Sequence, residues 1–326
     1  MLPKKTKSIK RFLVIFLKII VILFVTLSLL PYLIPLKELS FNRHDLAYPE
    51  SSFSIVEGIE MHYRVWGNNR EPRGNILLVH GFGASTFSWR YTAPVLQEKG
   101  YRVVALDLPG FGFTERKIGF NHSSEARASV IWQLLEMIDE GSGWHLVGHS
   151  MGGATVTAMA LQKPDQVESM VLAAGALSTA GRSRINWLFR YPPLGRWLRV
   201  LSTRVLFTEN NVERMLASAY GRSLTADEVE GYFQPIAIKD SDLILIELIK
   251  SSENPLMDRV ADLKMPVLLI WGENDSWVTL KQGQNLLARI PYAELIVLPG
   301  EGHCPMETAP DLFNAELLNF LDGLAQ

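Results

Sequence analysis

A serine lies between two glycines in the segment G-H-S-M-G at positions 148–152, which joins an apolar, strand-like run to a helix-like run. This G-x-S-x-G pattern is typical of a sharp strand-to-helix turn that raises the serine hydroxyl at the edge of a sheet. Side chains at Gly148 and Gly152 would clash, because strand and helix approach each other closely there. We therefore predict that Ser150 is a nucleophile. Met151 begins the helix, so its amide N–H lacks an intrahelical acceptor.

A serine hydroxyl is a weak nucleophile unless a base takes its proton and a third group orients that base. In proteins with this turn, an acid and then a histidine follow the serine, each after a later strand. Asp275 follows the apolar run P-V-L-L-I-W-G, and His303 follows L-I-V-L-P-G. We therefore predict a catalytic triad of Ser150, Asp275 and His303. Glu273 is the alternative for the acid.

The other histidines have no such position in the chain. Those in strand-like runs or polar segments are His44, His62, His122 and His145. His149 adjoins the predicted nucleophile, and we expect its side chain to point away from Ser150 and to serve in packing. His303 therefore remains the predicted base.

The glycine-rich segment H-G-F-G-A at 80–84 follows another strand-like run. Gly81 and Gly83 let the backbone turn, so that the Phe82 N–H can point at a substrate oxygen. Fixed donors of this kind stabilise a developing negative charge by about 3 kcal/mol. We predict that the Phe82 and Met151 amides form an oxyanion hole, and that the chemistry needs no metal or organic cofactor. A phosphate-binding loop is the alternative, but neither G-x-G-x-x-G nor a following Lys-Ser/Thr pair occurs here.

These residues need a sheet to position them. Apolar, strand-like runs that alternate with helix-like segments occupy 75–80, 101–107, 144–149, 167–174, 266–272 and 293–300. Ahead of them, F-S-I-V-E-G-I-E-M-H-Y-R-V-W-G alternates apolar and polar residues around Glu57-Gly58, as a hairpin does. We predict a mostly parallel eight-stranded sheet with helices on both faces.

The strand rhythm stops between Ser178 and Asp258. This stretch contains helix-like segments and many aromatic residues, namely Trp187, Phe189, Tyr191, Trp197, Phe207, Tyr220, Tyr232 and Phe233. We predict an inserted helical cap. Most of these rings are expected to pack the cap's own core, and a few to line a substrate pocket.

The N-terminal segment is basic and then strongly apolar. Lys4, Lys5, Lys7, Lys10 and Arg11 precede an apolar run from Phe12 to Leu36 that is interrupted mainly by Lys18. About 20 such residues span a bilayer as a helix, and a lysine near the basic end can reach the headgroups. A cleaved signal peptide is the alternative, but the bulky residues at 29–32 do not resemble a cleavage site.

The distribution of cations predicts the orientation of this single-pass helix. The five cations just named precede it, whereas Lys37 and Arg43 follow it. The positive-inside rule then places the N-terminus in the cytoplasm and the catalytic domain on the extracytoplasmic side. The predicted organisation is a basic N-terminus (1–11), a transmembrane helix (12–36), a tether (37–52), a first core part (53–177), the cap (178–258) and a second core part (259–326).

Composition excludes several other classes. With 48% hydrophobic and 20% charged residues among 326, the chain is neither disordered nor fibrous. Its formal net charge of -2 argues against nucleic acid as a partner. The single cysteine, Cys304, excludes an intramolecular disulfide and a C-x-x-C site.

From about Phe53 to the C-terminus, apart from much of the cap, the sequence resembles the α/β-hydrolase superfamily. The motifs that carry this resemblance are H-G-F-G-A-S at 80–85, D-L-P-G-F-G at 107–112, G-H-S-M-G-G at 148–153, W-G-E-N-D-S-W-V at 271–278 and G-E-G-H-C-P-M-E-T-A-P at 300–310. The resemblance implies an α/β-hydrolase fold. Monoacylglycerol lipases with one N-terminal transmembrane helix look similar in the order of their segments and in the sequence of the turn that carries the serine.

Differences from the motifs of other families reduce the number of activities that the sequence predicts. Haloalkane dehalogenases and epoxide hydrolases carry an aspartate where Ser150 stands, and proline iminopeptidases usually show G-G-S-W-G there. Carbon–carbon bond hydrolases of aromatic degradation share the sequence S-M-G-G at this turn, but their usual loop H-G-x-G-P-G-A is absent from this chain. We predict a serine hydrolase that cleaves a lipid or other small amphipathic ester. The alternatives are a carbon–carbon bond hydrolase, an acyltransferase, a perhydrolase or a non-catalytic ligand-binding module.

Overall fold

The sheet has eight strands, as predicted. The computed structural model describes residues 4–39, 41–67, 72–138, 143–177, 186–251 and 256–324. The strands are β1 (Ser51–Val56), β2 (Ile59–Trp66), β3 (Asn75–Val79), β4 (Arg102–Leu106), β5 (Trp144–His149), β6 (Val167–Ala173), β7 (Val267–Gly272) and β8 (Ala293–Leu298). Their order is β1-β2-β4-β3-β5-β6-β7-β8. Strand β2 runs antiparallel to both of its neighbours, and the other neighbouring pairs are parallel.

Helices precede the sheet, cover it and form the cap. They are α1 (Lys4–Leu33), α2 (Arg43–Leu46), α3 (Ala93–Glu98), α4 (Ser124–Ile138), α5 (Met151–Gln162), α6 (Pro192–Leu201), α7 (Glu209–Tyr220), α8 (Ala226–Ile236), α9 (Ser241–Lys250), α10 (Leu280–Leu287), α11 (Pro305–Thr308) and α12 (Pro310–Leu324). Short 3-10 helices occupy Thr86–Trp89, Pro164–Gln166, Asn186–Arg190, Leu256–Asp258 and Val260–Asp262, and a single π-helical turn occupies Ser202–Leu206.

The central strands are buried on both faces, because alternate residues of a strand point to opposite sides. On β3, Leu77 and Val79 pack into one core with residues of α4 and α5. Ile76 and Leu78 pack into a second core with residues of α3 and α12. This explains why these strands are apolar at consecutive positions.

The cap consists of α6 to α9 within the described residues. Residues 178–185 and 252–255 of the predicted cap lie outside them. Helix α8 begins with a capping box, in which Thr225 and Glu228 bond each other's backbone N–H groups. The π-helical turn follows α6 directly and ends at Leu206.

The apolar N-terminal helix differs in its bounds from the prediction of 12–36. It begins at Lys4 and ends at Leu33. It stops there because Ile34 precedes Pro35, and a residue before proline is disfavoured in the helical conformation. Its segment Arg11–Leu33 has a mean hydropathy of 3.0 and is long and apolar enough to cross a membrane.

The predicted tether, 37–52, is partly regular. It contains α2, where the Asn42 side chain accepts the His44 N–H at 3.1 Å. The core begins at Ser51 rather than at Phe53, because Ser51 and Ser52 already pair with β2. Serines favour loops in sequence patterns, so only the pairing with a distant strand identifies them as β structure.

His122 gives the fold an acid-sensitive element. Neither ring nitrogen has a hydrogen-bond partner within the described residues, and the ring packs against Phe120 at 5.0 Å between centroids. Burial lowers the pKa of His122 from 6.5 to about 4. The neutral imidazole therefore contributes stability that is complete above pH 6.5 and is lost as the pH falls toward 4.

We expect His122→Leu to flatten the pH dependence of the free energy of unfolding between pH 6.5 and 4. The difference in slope should integrate to about 3 kcal/mol or less. Urea unfolding followed by circular dichroism across this range measures it. Asn121→Leu, at the exposed neighbouring position, adds the same side chain without removing a titratable group; it is the control and should leave the slope unchanged. Equal slopes for wild type and His122→Leu would show that His122 does not cause the loss of stability in acid.

Candidate active site

Ser150 stands at the junction of β5 and α5 in a strained backbone conformation. Its φ is 50° and its ψ is -117°. A non-glycine residue held in a sparsely populated region costs on the order of 1–3 kcal/mol, and such strain is common at functional sites. Hydrogen bonds hold it: its N–H donates to the Ala173 carbonyl at 3.1 Å, and its carbonyl accepts from Gly153 and Ala176, each at 2.9 Å.

Close backbone contacts require the two glycines that flank Ser150. A Cβ on Gly148 would lie 2.6 Å from the Gly152 carbonyl oxygen. A Cβ on Gly152 would lie 2.4 Å from the Val79 carbonyl oxygen. The turn therefore has room for a side chain at Ser150 but at neither glycine.

Asp275 and His303 lie side by side on the loops after β7 and β8. The His303 Nδ1–H donates to Asp275 Oδ2 at 2.8 Å, and both side chains are buried. Asp275 Oδ1 accepts the backbone N–H groups of Trp277 and Val278 at 2.8 and 2.9 Å. With Nδ1 as donor, Nε2 of the neutral ring is left as an acceptor for a hydroxyl proton.

Glu273, the alternative acid, lies elsewhere on the same loop. It is exposed, and its Oε2 accepts the Gly300 N–H at 2.9 Å. The structure therefore brings Asp275, and not Glu273, to the imidazole of His303.

The loop that carries His303 is docked directly on the cap. The His303 N–H donates to the Ala219 carbonyl of α7 at 2.8 Å. A Cβ on Gly302 would lie 2.6 Å from the same carbonyl oxygen. The Trp277 ring stacks on the imidazole, with centroids 5.7 Å apart and planes 17° apart.

His149 packs as expected, but beside the predicted base and not away from the site. Its ring centroid lies 4.8 Å from that of His303, and its Nε2–H donates to the His303 carbonyl at 2.9 Å. Burial, aided by the nearby His303, lowers the pKa of His149 well below 6.5. A neutral His149 therefore supports the His303 loop without adding charge.

The Phe82 and Met151 amides remain available at the site. Within the described residues, neither N–H donates to a protein acceptor. Gly81 permits the close approach of this loop, since a Cβ there would lie 2.9 Å from His149 Nδ1 and 3.1 Å from Ser150 Cβ. Gly83 has a φ of 69°, which glycine adopts without strain.

Ser150 and His303 share a cavity of about 290 Å³ between the sheet edge and the cap. Its walls are mainly apolar: Phe82, Phe111, Leu206, Phe207, Val212, Met215, Leu216, Ala219, Tyr232, Ile236, Ile244, Leu245, Leu248 and Trp277. Of the aromatic residues that the sequence pattern assigned to the cap, Phe207 and Tyr232 line it.

Arg116 is the one lysine or arginine among the described residues that line this cavity. It is buried, and its guanidinium donates to the carbonyls of Gly112, Thr114 and Pro235 at 2.6 to 2.7 Å. Its Nε–H donates to the Ser241 hydroxyl at 3.2 Å. Arg116 thus joins the loop after β4 to the cap helices.

Sequence reasoning missed a buried polar cluster that also joins the core to the cap. Glu307 accepts hydrogen bonds from Arg90, from the Tyr220 hydroxyl at 2.6 Å and from the Tyr232 hydroxyl. Burial raises the pKa of Glu307, while Arg90 and the two hydroxyls oppose the shift. The only local signal was the glutamate in the motif that carries His303.

The family of this chain follows from its similarity to known sequences. A family model described as alpha/beta hydrolase fold matches residues 74–310. The chain is 31% identical over 271 residues to the uncharacterized hydrolase YugF of Bacillus subtilis (strain 168), covering 82% of this chain and 96% of that protein. It is 26% identical over 280 residues to the 2-hydroxy-6-oxononadienedioate/2-hydroxy-6-oxononatrienedioate hydrolase of Escherichia coli (strain K12), covering 81% of this chain and 91% of that enzyme.

A solved structure shows the same fold along nearly the whole chain. The crystal structure of a membrane phospholipase A, a novel bacterial virulence factor, is similar with a TM-score of 0.70 and 23% identity, over 97% of this chain and 99% of that chain. The predicted α/β-hydrolase fold and enzyme class are confirmed. This chain belongs to the α/β-hydrolase fold family and is a hydrolase.

Proposed function

We propose that this hydrolase cleaves carboxylic esters that carry an apolar chain, through an acyl-enzyme on Ser150. The observation that carries the proposal is the shared cavity: Ser150 and His303 open into a space whose walls are mainly apolar. An ester carbonyl at Ser150 would leave its hydrocarbon chain in contact with those walls. Each buried CH₂ contributes about 0.8 kcal/mol to binding.

The proposed mechanism uses the groups described above. His303 Nε2 takes the Ser150 hydroxyl proton as the oxygen attacks the carbonyl carbon, and the Phe82 and Met151 amides hold the oxyanion. Asp275 stabilises the imidazolium, which then protonates the leaving alcohol. Water, deprotonated by His303, attacks the acyl-enzyme and releases the acid.

We expect Leu245→Trp to shorten the preferred acyl chain. The indole would fill part of the cavity, so kcat/KM for p-nitrophenyl decanoate should fall by roughly 10- to 100-fold, the loss of two or three buried CH₂ groups. Activity on the acetate should change less than about twofold. A series of p-nitrophenyl esters from acetate to decanoate, assayed in detergent, measures this shift.

The matched control is Leu312→Trp, at an exposed position of α12. It should leave the chain-length profile unchanged. A wild-type enzyme that shows no preference between acetate and decanoate would refute the apolar-chain proposal, and so would an unchanged profile in Leu245→Trp. Added alcohol or peroxide in the same assay separates hydrolysis from acyl transfer or perhydrolysis, by the product formed.

Carbon–carbon bond hydrolysis is the second candidate, favoured by the similarity to the Escherichia coli enzyme. The substrate in that enzyme's name is a dicarboxylate, which would need positive partners. Arg116 is the one lysine or arginine among the described lining residues, and neighbouring oxygens accept most of its hydrogen bonds. The scarcity of free positive charge in the cavity favours an ester substrate over a dicarboxylate. If the protein turned over 2-hydroxy-6-oxononadienedioate faster than every ester tested, carbon–carbon bond hydrolysis would become the preferred function.

We also propose that α1 anchors the enzyme in a membrane, with its N-terminus cytoplasmic and the catalytic domain outside. The length and hydropathy of Arg11–Leu33 support the anchor, and the basic residues before it support the orientation. A lipid or another amphipathic ester is then the proposed substrate, because the catalytic domain would lie at the bilayer surface.

We expect an epitope at the N-terminus of the full-length chain to be protected from protease in spheroplasts, while the catalytic domain is digested. The protein should resist extraction by alkaline carbonate. Digestion of the epitope in intact spheroplasts would show the opposite orientation. A mature protein that lacks the residues of α1 would identify a cleaved signal sequence.

A further inference from the structure

Two prolines near the end of α1 leave carbonyl groups without their usual donors. In an α-helix each N–H donates to the carbonyl four residues earlier. Pro31 lies inside α1 and has no N–H, so the Leu27 carbonyl has no intrahelical partner. The Pro31 carbonyl lies in the last turn of α1, where no intrahelical donor follows, and Pro35, four residues later, has no N–H to replace it.

Adjacent residues of the cap helix α6 occupy both carbonyls. The Trp197 indole N–H donates to the Leu27 carbonyl at 2.8 Å. The Arg196 Nε–H donates to the Pro31 carbonyl at 3.1 Å, and its Nη2 donates to the Ile34 carbonyl at 3.0 Å. The donors of the cap therefore match the acceptors that the prolines leave.

Further contacts extend this junction along both elements. Arg204 donates to the Pro35 carbonyl through Nε and Nη2, at 2.9 and 2.7 Å. The Tyr191 ring stacks on Phe24 at 5.8 Å, and its hydroxyl bonds Ser28. The last turn of α1 contains no basic residue of its own, so cap arginines supply the positive charge that stabilises a helix C-terminus.

The same cap helix leads directly to the catalytic cavity. The π-helical turn after α6 ends at Leu206, and Leu206 and Phe207 line the cavity. Arg199 of α6 also pairs with Asp242 of α9 at 2.6 Å, and α9 contributes Ile244 and other residues to the cavity wall. Helix α6 is therefore connected to two parts of the cavity wall.

We propose that α1 is a positioning element for the active site as well as an anchor. Arg196 and Trp197 hold α6 on the carbonyls that Pro31 and Pro35 leave free, and this contact fixes the cavity wall formed after α6. The consequence for substrate binding rests on the proposed ester hydrolysis. The contact itself does not.

Hydrogen exchange on the full-length protein in detergent tests the contact directly. Trp197→Phe keeps a smaller aromatic ring and removes the N–H donor, and it should speed exchange of the α6 amides about fivefold, the value of one hydrogen bond. Pro31→Ala gives α1 an N–H for the Leu27 carbonyl. In that background, Trp197→Phe should have a much smaller effect on exchange.

The matched control is Trp66→Phe on β2, which should leave exchange in α6 unchanged. Equal effects of Trp197→Phe with and without Pro31→Ala would overturn the proposed contact, and so would unchanged exchange in Trp197→Phe alone.

The Trp197→Phe variant also tests the link from α6 to the cavity. Its KM for p-nitrophenyl decanoate should rise about fivefold at constant kcat, while the KM for p-nitrophenyl acetate should be unchanged. Faster exchange with unchanged KM would overturn the link from α6 to the cavity.

A wild-type protein that hydrolyses no ester would refute the proposed function alone. The exchange measurements would still decide whether α1 positions the cap. The two proposals therefore fail in distinguishable ways.

Discussion

Ser150→Ala is expected to reduce kcat for a short-chain p-nitrophenyl ester by at least about 10⁴-fold, because no other group in the proposed mechanism forms the acyl-enzyme. Alanine fits the same space and the same backbone hydrogen bonds, so the fold should survive. Residual activity would come only from the amides and the binding cavity. Initial rates on purified protein measure the loss, and the thermal unfolding midpoint checks folding.

Ser129→Ala, at an exposed site on α4, is the control and should retain full activity. A serine-directed fluorophosphonate should label wild type and the control but not Ser150→Ala. Normal turnover by a folded Ser150→Ala protein would end the triad proposal, whatever its cavity binds.

Asp275→Asn is expected to reduce kcat by about 10⁴-fold. The carbonyl oxygen of the new amide would face the backbone N–H groups of Trp277 and Val278, which Asp275 Oδ1 accepts now. The amide NH₂ group would then face His303 Nδ1, in place of the carboxylate oxygen. The imidazole would have to carry its proton on Nε2, where it cannot accept one from Ser150.

Glu273→Gln is the matched control, since it makes the same chemical change on the same loop at an exposed position. It should change kcat less than about twofold. Steady-state kinetics of both variants at one pH measure the contrast. If Glu273→Gln lost activity while Asp275→Asn kept it, the glutamate would replace the aspartate as the acid.

Much of the core could be predicted because its signals are local. Each parallel strand is a short apolar run, since both faces are buried, and such runs are visible without knowledge of the partners. The turn at Ser150 could be predicted for a similar reason, because its two glycines are required by contacts within one strand–turn–helix unit. The strand positions then placed Asp275 and His303 at one edge of the sheet.

Contacts between distant parts of the chain could not be predicted in this way. Arg90 and Glu307 are 217 positions apart, and nothing near either residue indicates the other. The sequence pattern predicts only that most aromatic rings of the cap pack its own core, whereas the Trp197 indole bonds a carbonyl of α1, 170 positions away. Periodicity gives the exposed and buried sides of one element but not the element that meets them.

The bond from the His303 N–H to the Ala219 carbonyl restricts how ligands reach Ser150. If the whole cap swung outward as a rigid lid, α7 would pull this loop and draw the imidazole away from Asp275. Any opening of the cap that keeps His303 on Asp275 therefore has to leave the C-terminal end of α7 in place. Reactants and products could then exchange while the proton-transfer pair stays assembled.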